Sequence, residues 1–249
     1  MRVAIMSAMH EENASIVNAM QIDSEETIGG RTYFTGQLCE KEVVVVFSHW
    51  GKVAASITAT TLITRFSVDE VIFTGVAGGI SNTLSIGDIV IGKDLFQHDM
   101  DASPIIERHE IPLLGRAAIS TCPAIQDKLL VATNRYLEQD FQGTISKNAR
   151  LDFRIEQPLA LIASIASGDQ FISETALAED ILRRLPDVAC VEMEGAAVAQ
   201  VCEAFNVPFG LVRTISDGAN ETSDIDFPGF ISSIAQAYSL GIVENYLNH

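Results

Sequence analysis

A chain of 249 residues, 47% hydrophobic and 20% charged, can bury a substantial core and is too apolar to be disordered. Its net charge of −17 argues against nucleic acid as a partner, because that binding rests on Lys and Arg neutralising phosphates. A small neutral or zwitterionic ligand is the expected partner. Cys39, Cys122, Cys190 and Cys202 are scattered without CxxC spacing, so reduced core thiols are expected in place of disulfides or metal ligands. The first residues, MRVAIMSAMHEEN, turn acidic after a short apolar-leaning run, too short for a signal peptide or membrane anchor. A cytoplasmic location is expected.

In chain order, residues 3–8 predict a buried strand that runs into a helix from His10 to Met20. A hairpin-like pair is expected over 33–38 and 42–48, then a long helix of small and β-branched residues over 51–66. Residues 70–76 predict another apolar strand, and Gly87-Asp88-Ile89-Val90 opens one that continues towards His98-Asp99. The segment from about 104 to 160 is hardest to assign, although 123–138 has helical character. Residues 159–166 predict a strand, 174–185 a helix, 209–215 a strand and 229–247 a closing helix. Between these lies Ala189-Cys-Val-Glu-Met-Glu-Gly-Ala-Ala-Val-Ala-Gln200, a short strand entering a helix of small residues. This alternation predicts an α/β fold: one domain over 1–249, with a mixed, mostly parallel central sheet flanked by helices.

Four predicted strand ends stop at small or acidic residues, and open α/β sheets bind ligands at such ends. They are Ala8-Met-His-Glu-Glu12, Thr74-Gly-Val-Ala-Gly-Gly79, Val191-Glu-Met-Glu194 and Thr214-Ile-Ser-Asp217. Strand alternation predicts Glu192 and Glu194 on one face, away from Met193. Two readings stay open there: acids favoured by a helix dipole, or a platform that a sugar approaches. Gly75, Gly78 and Gly79 suit either a tight turn or a ligand cradle, and their spacing is not GxGxxG. Asp217 is either a turn aspartate or a general acid, and Glu12 either a helix-start acid or a catalytic one. His98-Asp99-Met100-Asp101 offers too few ligands for a metal centre, and no GxSxG context supports covalent acyl chemistry.

Taken in series, these segments resemble the 5′-methylthioadenosine/S-adenosylhomocysteine nucleosidases, of the purine nucleoside phosphorylase-like superfamily. The similarity runs through SAMHEEN at 7–13, Gly51-Lys-Val-Ala-Ala55, the 74–79 loop, Gly87-Asp-Ile-Val90, His98-Asp-Met-Asp101, Ser167-Gly-Asp-Gln-Phe-Ile172, Val191-Glu-Met-Glu-Gly195 and Arg213-Thr-Ile-Ser-Asp217. The resemblance implies that Glu12 activates the attacking water and that Asp217 protonates the purine at N7. It implies ribose contacts from Met193 and Glu194, adenine contacts from Phe171 by stacking and Ile172 through its backbone, and a substrate contact at Gly78. Arg213 and Ser216 fall at supporting positions near the water and the acid. It further implies a homodimer, no metal and no organic cofactor.

Three features depart from the family pattern. Val76 stands where many relatives carry a small polar residue, His49-Trp50 precede Gly51 where smaller residues are common, and the 104–160 stretch is long. The nearest rival activity is cleavage of 6-amino-6-deoxyfutalosine, whose site would differ at the 5′ pocket. A phosphorylase would need basic residues about a phosphate, and only Arg213 and Lys52 are obvious, with acidic Glu12 opposing an anion. A silent nucleoside-binding protein on this fold is the rival from another class, and the presence of both Glu12 and Asp217 weighs against it.

Overall fold

The computed structural model describes residues 1–249, the side chain of Ile225 excepted. Residues 1–100 form β1 (Arg2–Ser7), α1 (His10–Ala19), β2 (Gln21–Ile28), β3 (Arg31–Leu38), β4 (Lys41–Phe47), α2 (Lys52–Phe66), β5 (Glu70–Gly79) and β6 (Ile89–Gln97). The middle contributes β7 (Ala118–Ser120), α3 (Pro123–Arg135), a π-helical turn (Tyr136–Asp140), α4 (Phe141–Thr144), α5 (Lys147–Asp152) and β8 (Ala160–Ser167). The remainder is α6 (Thr175–Arg184), β9 (Val188–Glu192), α7 (Gly195–Ala204), β10 (Phe209–Asp217) and α8 (Ser223–Phe230). A second π turn (Ile231–Ala235) then leads into α9 (Gln236–Leu247).

All ten strands join one mixed sheet. Its central pairings β4–β1, β1–β5, β5–β10, β6–β8 and β8–β9 are parallel, as expected for apolar strands separated by helices. Antiparallel pairing of β10 with β6 and of β5 with β9 closes five strands, β5, β10, β6, β8 and β9, into a ring. Helices α1, α3 and α9 cover one face over a core that includes Ile5, Ile72, Val212 and Tyr238, while α2 and α7 cover the other over Met6, Phe73, Leu211 and Val198. Burial on both faces explains why β1, β5 and β10 are continuous apolar runs.

Two elements differ from the sequence expectation. Residues 21–28, QIDSEETI, form an edge strand paired only with β3, and their side chains are largely exposed, so they carry no apolar alternation. The closing helix starts six residues before 229, at Ser223, with Pro228 inside α8 and a π turn before α9. Among the described residues, no helix is long and apolar enough to cross a membrane.

Candidate active site

The carboxyl ends of β1, β5, β9 and β10 meet at one cavity of about 260 Å³. Its wall includes Met9, Val76, Met193, Glu194, Ser216 and Asp217, with Trp50, Phe171 and Phe227 at the side. The lining is mainly apolar, so the few polar groups that enter it set the chemistry.

The strand expectation for Glu192 and Glu194 needs refinement. Strand β9 stops at Glu192, the chain bends at Met193, and Glu194 caps α7. Both carboxylates nevertheless converge on Arg213, whose Nη2 lies 2.7 Å from Glu192 Oε2 and 3.8 Å from Glu194 Oε2. Glu192 is saturated: it accepts from Arg213, Ser167 Oγ, Glu194 N at 3.1 Å and Gly195 N at 2.9 Å. It thereby satisfies orphan amides at the start of α7. Glu194 accepts only Gly51 N, at 2.9 Å, among described hydrogen bonds, which leaves acceptor capacity facing the cavity. Burial first, and then the charge of Glu192, push the Glu194 carboxyl above its usual range, against the pull of Arg213.

Arg213 is fully buried on β10, its guanidinium 4.2 Å from the Phe73 ring centre. Gly75, its register partner on β5, leaves room for it: a Cβ there would lie 2.9 Å from Nη1. Glu12, in the first turn of α1, is also fully buried, and Arg213 acts on it electrostatically. Its Oε1 accepts from Ser239 Oγ of α9 at 2.9 Å, and its Oε2 has no partner. Burial raises the Glu12 carboxyl to about 7, with Ser239 and Arg213 opposing. Three carboxyl groups, Glu12, Glu192 and Glu194, thus lie in the field of one guanidinium, and the raised Glu12 and Glu194 carboxyls limit the negative charge the site holds.

Asp217 ends β10 beyond a bulge, and its partner Gly78 on β5 is three residues past Gly75, the partner of Arg213, so the two positions are about 10 Å apart along the sheet at ~3.3 Å per residue. Its carboxylate is fixed by Ser216 Oγ at 2.8 Å and by the Ala219 amide at 2.9 Å, and it is buried. The β-bulge between Ile215 and Asp217 coincides with this turn of the chain into the cavity. Gly78 lies behind the acid and not in the cavity wall, since a Cβ there would meet Asp217 Oδ1 at 3.1 Å and Ala219 at 3.0 Å. Phe171 is 44% exposed at the cavity edge, packed edge-on against Phe227 at 5.5 Å. The Ile172 side chain points away into a small core with Ala166, Val191 and Ala219, while its backbone makes no hydrogen bond among the described residues.

Sequence reasoning placed Glu12, Met193, Glu194, Arg213, Ser216, Asp217 and Phe171 together, and the fold brings them to this one region. It missed Ser239 and Phe227, which arrive from the C-terminal helices. The only sequence signal for Ser239 was a small polar residue on the buried side of α9. His98-Asp99 is structural: Asp99 accepts Lys52 Nζ at 2.7 Å and the Asp169 amide at 2.9 Å, and His98 packs against Gly168. Among the described residues, no group of three His, Cys, Asp or Glu side chains is placed to hold a metal.

The family model of the phosphorylase superfamily matches residues 2–248. The chain is 38% identical over 231 residues to a 5′-methylthioadenosine/S-adenosylhomocysteine nucleosidase of Shewanella sp. (strain W3-18-1), covering 93% of this chain and 92% of that protein. It superposes with a TM-score of 0.85, at 30% identity, on the Neisseria meningitidis nucleosidase of the same name in complex with methylthio-immucillin-A, over 99% and 98% of the two chains. It also superposes on the futalosine hydrolase of Helicobacter pylori, with a TM-score of 0.82 at 30% identity, over 99% and 97%.

Proposed function

The chain belongs to the phosphorylase superfamily, and we propose that it is an N-ribosyl hydrolase that cleaves adenine from 5′-thio-substituted adenosines, methylthioadenosine and S-adenosylhomocysteine. The observation that carries this reading is the separation of two acid functions on one strand path. The Glu12, Glu192, Glu194 and Arg213 cluster lies at the middle of β10, and Asp217 lies about 10 Å further along the sheet, at the strand's carboxyl end. Breaking an N-glycosidic bond builds positive charge on the ribose and negative charge on the leaving base. Carboxyl groups beside the sugar stabilise the first as they ionise, and a proton from Asp217 to N7 relieves the second.

Glu12 takes a proton from water as it attacks C1′, through the oxygen left without a partner. Glu194 accepts the two ribose hydroxyls with its remaining lone pairs while Met193 packs against the sugar. Phe171 stacks on adenine, and the free Ile172 backbone reads its edge. Arg213 orients the carboxylates and Ser216 holds the acid, while Gly78 gives Asp217 its space. Phosphate fits poorly as the nucleophile, because Arg213 is engaged by Glu192, Lys52 is engaged by Asp99, and the cavity wall presents the acids Glu192 and Glu194 and, among the described residues, no free cation.

A homodimer completes this reading. Trp50 is 62% exposed beside the cavity, and Val53 and Ile57 of α2 extend the same apolar surface, which a second copy would cover. Action in the cytoplasm, in methionine salvage, follows from the substrate class. Cleavage of 6-amino-6-deoxyfutalosine is the second reading, favoured by the superposition on the futalosine hydrolase. Comparing kcat/KM for methylthioadenosine, S-adenosylhomocysteine, aminodeoxyfutalosine and the inosine analogue tests both. Turnover of the thio-adenosines above the other two supports the first reading, and preference for the inosine form contradicts both.

A further inference from the structure

We propose that Ser239 of α9 is a positioning residue for the base: its hydroxyl binds Glu12 Oε1, so that Oε2 is the oxygen that receives the proton from water. This rests on the reading of Glu12 as the base. Ser239 is the one side chain that hydrogen-bonds to the Glu12 carboxylate among the described residues, at 2.9 Å. The direction of that bond is set from behind. Thr74 Oγ1 on β5 donates to Ser239 Oγ at 3.0 Å, which leaves the Ser239 proton for the carboxylate. All three side chains are buried, at 0–2% exposure, so no solvent competes for these bonds.

The chain Thr74, Ser239, Glu12 joins β5, α9 and α1, and α1 and α9 are tied a second time where Ser15 Oγ donates to Gln236 O at 3.2 Å. A donor on Oε1 strengthens when the carboxyl is ionised, because charge-assisted hydrogen bonds are the stronger ones. It therefore holds the base in its proton-accepting form and in one rotamer. The other charges acting on Glu12 are Arg213 of β10, which favours the carboxylate together with the Met9 backbone, and Glu11, which opposes it. Val76, at the cavity wall, has no hydroxyl to share the task.

The test uses the whole protein, with glutamate labelled at the side-chain carboxyl carbon and the Glu12 signal assigned by its loss in E12Q. Ser239→Ala should move the Glu12 titration midpoint up by on the order of one pH unit, and Thr74→Val should move it less in the same direction. Adenine release from methylthioadenosine by Ser239→Ala should fall about tenfold in kcat/KM at pH 6 and recover above pH 9, because a unit shift costs tenfold in ionised base below the midpoint. A structural role would lower the rate at every pH. An unchanged Glu12 midpoint in Ser239→Ala would overturn the proposal. If that variant does not fold, an unchanged midpoint in Thr74→Val would do so. Absence of turnover in the wild type would overturn the substrate reading alone, since the carboxyl titration is read without substrate.

Discussion

Glu194 receives the backbone N–H of Gly51 at 2.9 Å, so the residue that opens α2 also orients the carboxylate assigned to the ribose. Gly51 can do this because its φ of +87° suits glycine, and because a Cβ there would press on Asp169 Oδ1 at 2.9 Å. Asp169 in turn accepts the Lys52 amide at 2.7 Å, and Asp99 holds both Lys52 and the Asp169 backbone. The Glu194 carboxylate is thus held by a loop braced from three segments. Gly51→Ala should lower kcat/KM about tenfold or more, as the strain of roughly 1–2 kcal/mol displaces the N–H. Unchanged kinetics in a folded variant would remove this contact from the site.

The two neighbouring glutamates should separate cleanly. Glu194→Gln should lose discrimination between ribo and 2′- or 3′-deoxy substrates, because hydrogen bonds to a charged acceptor are worth roughly 1.5–3 kcal/mol. Glu192→Gln should instead lower the melting temperature, since it strips the partner from a fully buried guanidinium and weakens the cap of α7. An equal deoxy penalty in wild type and Glu194→Gln would contradict the assignment.

Asp217→Asn should depress adenine release by about 10²–10⁴-fold while leaving the fold intact, because it removes the proton required by the leaving base. The Ala219 amide bonds to Oδ1 and the Ser216 hydroxyl to Oδ2, so the asparagine can keep its oxygen on Ala219 and donate its NH2 to Ser216 Oγ. Near-wild-type turnover would place the acid elsewhere.

Glu12 links catalysis to stability through pH. Its carboxyl is raised from 4.5 to about 7, so the folded state holds the proton more tightly than the unfolded one. The stability this provides is complete below pH 4.5 and is lost as pH rises through about 7. Glu12→Gln should abolish hydrolysis, keep affinity for a substrate analogue, and flatten the fall in melting temperature between pH 5 and pH 8. The stabilisation relative to wild type at pH 8 should be up to about 3 kcal/mol. Parallel melting curves against pH in the two proteins would show that Glu12 is not held in this state.

Much of this was legible because buried parallel strands are apolar runs, and because the site residues sit at their ends. Glu12, Glu194 and Asp217 each follow such a run within a few residues. The rest required tertiary pairing. Ser239 meets Glu12 across 227 positions, and a small polar residue on the buried side of a helix does not say which element it faces. Edge strand β2 lacks an apolar face because water covers it. The division of labour between Glu192 and Glu194 depends on which of them the Arg213 guanidinium and the α7 amides saturate, and strand periodicity carries no such information.

On the proposed reading, water and not phosphate breaks the glycosidic bond. The direct measurement is product identification after purified protein acts on methylthioadenosine, with and without inorganic phosphate. Adenine and free methylthioribose should form at the same rate in both conditions. Phosphate-dependent turnover yielding methylthioribose 1-phosphate would contradict that reading.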